Sequence, residues 1–120
     1  MPWFEYHQNN SGGRFDIREA EGITVYVVIE ADDWQHANYL AKRIGLYFDG
    51  VEKGRDCDCC GDRWHSAYSG DSGTDLPEVY GKPLATMPVP SILWAPDGLE
   101  IAVHPRSGPF YFHKFAAAAE

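Results

Sequence analysis

The chain has 120 residues, 44% of them apolar and 14% aromatic, enough to fill one hydrophobic core and too many for a disordered chain. Ten Lys and Arg against eighteen Asp and Glu give a net charge of −8. Affinity for a phosphate backbone comes from basic side chains, so this balance argues against nucleic acid as a partner. No apolar run approaches the roughly 20 residues that cross a bilayer, which argues against a membrane protein. Met1 to Tyr6 lacks the basic and apolar regions of a signal peptide. The expectation is one domain over residues 1–115 in a reducing cytoplasm, followed by a low-complexity tail, 116–120, that reads as a cloning remnant.

In chain order, Trp3 to His7 alternates large residues and predicts a strand. Asn9-Asn10-Ser11-Gly12-Gly13 supplies the positive-φ residues of a tight reversal. Arg14 to Arg18 resumes the alternation, with Phe15 and Ile17 on one face. Ile23 to Ile29 is β-branched almost throughout, as a buried central strand requires. The period then changes. Asp32 or Asp33 suits a helix N-cap, and Trp34, Ala37, Leu40, Ala41 and Ile44 share one helical face. Lys42 and Arg43 favour the helix C-terminus, and Gly45 terminates it.

Regularity disappears from Asp49 to Pro90, a stretch of about 40 residues that is long for a connection in a compact domain. Ser91 to Ala95, the turn at Pro96-Asp97-Gly98 and Leu99 to His104 then predict a hairpin. A further turn at Pro105 to Pro109 leads into Phe110 to Lys114. The expected fold is α+β: an antiparallel sheet of about five to six strands, one helix packed on a face, and a long irregular loop.

All three cysteines lie in the run Cys57-Asp58-Cys59-Cys60, with His65 shortly after. Zinc takes four sulfur and nitrogen ligands, and Cys57, Cys59, Cys60 and His65 supply that number. The objection is geometric, because adjacent Cys59 and Cys60 must both turn toward one ion and no second Cys pair exists. A reactive thiol fits less well, because Asp56, Asp58 and Asp62 raise a thiol pKa. The plain alternative is that the cysteines and Trp64 anchor the loop.

At the other end of the chain, His104 and His113 fall on the polar faces of their strands. Pairing across the turn is expected to bring them together with Arg106 and Tyr111. These four, with Arg63 and Trp64, form the candidate ligand-binding set, suited to an anion or a nucleotide base. No phosphate-binding loop, dinucleotide fingerprint or serine nucleophile motif is present.

The segments Asn9 to Gly13, Ile29 to Ala31, Tyr47 to Val51 and Cys57 to Trp64 together resemble small proteins of tailed bacteriophages. The likeness runs from Phe4 to Trp64 and carries no established activity. It implies a protein of the cytoplasm of the infected bacterium. The expectation is a noncatalytic accessory protein that sequesters a host factor, either a nucleotide immune signal or a defence protein. The alternative is a zinc-dependent or thiol enzyme centred on Cys57 to His65. A small sheet with exposed edges also suits pairing of two copies of the chain.

Overall fold

The computed structural model describes residues 2–9, 15–58, 61–79, 81–84 and 100–114. Its centre is a four-stranded sheet in the order β1-β2-β5-β6, formed by Trp3–His7, Tyr26–Glu30, Glu100–His104 and Tyr111–Lys114. β1 runs antiparallel to β2, from Trp3 opposite Glu30 to His7 opposite Tyr26. β2 runs parallel to β5, and β5 antiparallel to β6. The two-residue strands β3, Glu78–Val79, and β4, Lys82–Pro83, form a separate ribbon. The fold is α+β, with one α-helix among the described residues. The sheet is mixed rather than antiparallel, and the described residues give it four strands where five or six were expected.

Both faces of the central strands are covered. Val27, Ile29 and Ala102 join Phe4 and Tyr6 of β1 and the helix residues Ala37 and Ala41 in one cluster. Tyr26, Val28, Ile101 and Val103 point the other way, against Val79 and Leu84. A strand buried on both sides reads as a continuous apolar run, which explains why Tyr26 to Ile29 shows no alternation.

The helix α1 spans Trp34–Ile44. Asp33 caps it, its carboxylate accepting the His36 backbone N–H at 2.8 Å. Gly45 ends it at φ 122°, donating its N–H to the carbonyls of Ala41 and Lys42. The small buried residues Ala37 and Ala41 let the helix axis approach the sheet.

Among the described residues, β1 does not pair with residues 15–18. Residues 15–17 form no strand, and Arg18 makes only an isolated bridge to Ile23 around a 3-10 turn at Glu19–Glu21. Alternation fixes which face a strand buries, but the choice of partner is made by β2. The buried Gln8 holds the displaced segment instead, donating to the Asp16 carbonyl at 2.9 Å and accepting from the Asp16 N–H. Most of the predicted reversal at Asn9 to Gly13, the predicted strand at Ser91 to Ala95 and the tail lie outside the described residues.

The long irregular segment is fastened at several points. Trp3 and Thr74 exchange backbone hydrogen bonds of 2.8 and 2.9 Å along the outer edge of β1. Tyr6 Oη donates to Asn38 Oδ1 at 2.8 Å, and Asn38 in turn bonds both the N–H and the carbonyl of Ala67. Burial, with the Asp71 charge adding to it, pushes the Tyr6 phenol well above its ordinary range, so it remains a donor.

Candidate ligand groove and the cysteine-bearing loop

The loop from Asp49 to Arg63 is built around the Asp56 carboxylate, whose side chain is 1% exposed. One oxygen accepts the Tyr47 hydroxyl at 2.7 Å; the other accepts the Arg63 backbone N–H at 2.8 Å. Arg63 Nε lies 3.9 Å from the same carboxylate and donates to Tyr47 Oη at 3.1 Å. Its Nη1 reaches Gln8 Oε1 at 2.8 Å. Burial, then the hydrogen bond to Asp56, raises the Tyr47 phenol. Asp62 accepts the Val51 N–H at 2.9 Å, and the Gly50 carbonyl takes the N–H groups of Arg55 and Asp56 at 2.7 and 3.0 Å. Any Cβ at position 50 would overlap the Asp56 carboxylate, so only glycine fits there.

This geometry reassigns two candidate ligand-binding residues. The Arg63 guanidinium is committed to Tyr47, Asp56 and Gln8. Trp64 is 0% exposed and packs in the helix-side cluster, so it fills the core and presents no surface to a ligand. The loop-anchor reading of Trp64 is the one its position supports.

Of the metal set, Cys57 is disulfide-bonded, so it serves as a thiolate ligand only when reduced. Cys59 and Cys60 lie outside the described residues. His65 is exposed and lines a different hollow, with Glu5, His7, Tyr68 and Asp71. Among the described residues, no three His, Cys, Asp or Glu side chains are placed to hold a metal ion.

The C-terminal candidates also separate. Ile101 opposes His113 and Val103 opposes Tyr111, so His113 and Tyr111 share the face of Ile101 and Val103. His104 lies on the opposite, helix-side face, with its ring 5.2 Å from that of Phe110. Neither face of β5 is a polar face, since Ile101, Ala102 and Val103 are all buried. The expected meeting of the two histidines therefore does not occur.

His104 and Arg106 do come together, at a place the chain pattern alone does not reveal. Where β2 and β5 end side by side, a groove of about 340 Å³ opens between them and α1. Leu40 and Ile44 of the helix, with Ile29 and Pro105, form its apolar wall. Glu30, Arg43, His104 and Arg106 supply its polar groups. The outer ends of neighbouring parallel strands are a recurrent place for ligands, because the chain leaves them in diverging directions. That signal depends on the β2–β5 pairing, which no local motif encodes. Arg43, besides its favourable place at the helix C-terminus, also lines this groove.

His104 Nε2 lies 2.8 Å from the Gly22 carbonyl, which can only accept, so this nitrogen carries the proton. Burial outweighs that hydrogen bond and lowers the imidazole pKa, keeping the ring neutral. Gly22 sits at φ 74°, and a Cβ there would come within 2.7 Å of the His104 ring. Arg106 is held at the rim: its backbone N–H donates to Glu30 at 2.8 Å, and its Nη1 lies 3.2 Å from Asp32 Oδ1. The Arg43 guanidinium lies 5.9 Å from the Tyr39 ring centre. Two exposed guanidinium groups beside an apolar wall suit an organic anion.

No helix of the described residues is long and apolar enough to cross a membrane. No curated protein and no solved structure matches the chain. The model of a domain of unknown function, DUF7296, aligns with almost the whole sequence, residues 1–117, and the chain belongs to that family.

Proposed function

We propose that this chain is a noncatalytic binding protein that sequesters a small organic anion of the nucleotide class in the groove between β2, β5 and α1. The observation that carries this reading is the convergence of Arg43 and Arg106 on an apolar wall of Leu40, Ile44, Ile29 and Pro105. The guanidinium groups fit a phosphate, the wall fits a base or sugar face, and the volume lies in the range of small-molecule sites. Glu30 lines the same groove and Asp32 pairs with Arg106, so little net positive charge remains there and anions without a body to fill the groove gain little. The phage-encoded role in an infected cytoplasm, with a host immune signal as ligand, rests on the resemblance of residues 4–64.

The test is thermal shift followed by calorimetry with adenosine monophosphate, cyclic dinucleotides, ADP-ribose and inorganic phosphate. A ligand that binds only the folded chain raises its melting temperature. Arg43→Ala and Arg106→Ala are each expected to weaken binding about tenfold or more without lowering the melting temperature of the free protein. Absence of a shift with every nucleotide overturns the nucleotide assignment and leaves a host protein as the sequestered factor.

A further inference from the structure

The polar side chains of the groove divide by what they offer a ligand. Arg43 and Arg106 can only donate, whereas Glu30 and His104 can accept. Glu30 already takes the backbone N–H of Arg106. His104 lies opposite Ile29 in the β2–β5 register, on the same face, so its ring stands beside the apolar wall.

That ring is fixed in place. Its Nε2–H donates to the Gly22 carbonyl at 2.8 Å. A Cβ on Gly22 would come within 2.8 Å of both Nε2 and Cε1, so this edge of the ring is turned to Gly22. Phe110 packs against it, the ring centres 5.2 Å apart. The second ring nitrogen, Nδ1, makes no hydrogen bond among the described residues. Nor is it sealed in the core, unlike the unpaired Arg18 Nε and Trp64 Nε1. Nε2 holds the proton and burial keeps the ring neutral, so Nδ1 carries a lone pair.

We infer that His104 Nδ1 reads the base in the groove, and that the ligand is a nucleoside monophosphate whose base carries an exocyclic amine. The inference rests on the groove being the nucleotide site. The amine donates one N–H to Nδ1 while the base lies on Ile29, Leu40 and Ile44 and the phosphate meets Arg43 and Arg106. A base with no donor at that place leaves Nδ1 stripped of water and unpaired. A site that reserves a hydrogen bond rejects the analogue that lacks it, by this mechanism. The volume of about 340 Å³ sets the size. It stands at the lower end of the roughly 300–1,000 Å³ typical of small-molecule sites, which suits one nucleotide and not two.

The experiment compares adenosine monophosphate with purine riboside monophosphate, which has the same ring system and phosphate but no amine. Calorimetry on the whole chain is expected to show adenosine monophosphate bound about five- to tenfold more tightly. In His104→Phe, which keeps a ring against Phe110, the two affinities are expected to converge. The nitrogen NMR signal of His104 Nδ1 in the wild type is expected to move with adenosine monophosphate and to stay still with the analogue. That reading holds even if the Phe variant does not fold. Equal affinity of the wild type for both compounds overturns the base-reading role and leaves the groove standing. So does a preference that persists undiminished in His104→Phe, or an Nδ1 signal that ignores adenosine monophosphate while it binds. Binding of neither compound removes the groove assignment itself, and the base-reading role with it.

Discussion

The loop around Asp56 and the groove beside Arg106 put similar residue types to opposite uses. Both contain arginines, a carboxylate and an aromatic or imidazole ring. In the loop these groups face one another: Asp56, Tyr47, Arg63 and Gln8 satisfy each other's hydrogen bonds, and Asp62 takes a backbone N–H. In the groove, Arg43 and Arg106 are exposed at the rim of an open volume, and the one carboxylate contact of Arg106, with Asp32, is itself at the surface. Uncommon composition thus marks the part that holds itself together, and ordinary composition the part that faces outward. A buried polar network must be complete to be tolerated, because each unpaired member costs its full desolvation. A binding surface keeps capacity in reserve.

Substitutions can break or sharpen this contrast. The largest effect is expected from Trp64→Ala, which empties a fully enclosed site and should lower the unfolding free energy by about 3–5 kcal/mol in chemical denaturation. Next comes Asp56→Ala, which strands the Tyr47 hydroxyl and the Arg63 N–H and leaves the Arg63 charge uncompensated. A loss of about 2–3 kcal/mol is expected by the same measurement, and a loss below half of that would show the network to be dispensable.

A smaller effect tests the groove floor by pH. The folded His104 imidazole is less basic than its ordinary value of 6.5, so the unfolded chain binds the proton first. Its contribution to stability is present above that value and is lost as pH falls through it and below. His104→Gln keeps a donor for the Gly22 carbonyl and is expected to flatten the acid side of the stability profile. An unchanged slope would mean that this ring is not held neutral. The smallest effect on stability belongs to Arg43→Ala, within about 0.5 kcal/mol of wild type, although it is among the largest on ligand affinity. That split between stability and binding is what separates the groove from the loop.

Local chemistry made much of the frame legible from sequence. The helix follows from its apolar spacing, with Asp33 and Gly45 at its ends, and β1, β5 and β6 appear close to where alternation puts them. What local pattern cannot give is partner choice. Phe15 and Ile17 alternate like a strand, yet Ile23 to Ile29 supplies the residues that pair with β1. The parity error at β6 has the same source: the length and path of the Pro105 to Phe110 turn decide which side His113 faces, and period two is silent on that. Asp56 was hidden for another reason. A carboxylate in an acidic, cysteine-bearing run reads as surface, and only three-dimensional closure shows it enclosed by Tyr47 and Arg63.

The parallel register of β2 with β5 has a kinetic consequence. β1–β2–α1 and β5–β6 are each stitched by contacts between neighbours in sequence, whereas Tyr26 meets Ile101 only after most of the chain has been closed into a ring. Contacts of such long separation form late and slow folding. The groove inherits that timing, because Glu30, Leu40, Arg43 and Ile44 come from one half and His104, Pro105 and Arg106 from the other. A ligand of the groove therefore grips only the finished molecule: it should slow unfolding and leave the early steps of folding untouched.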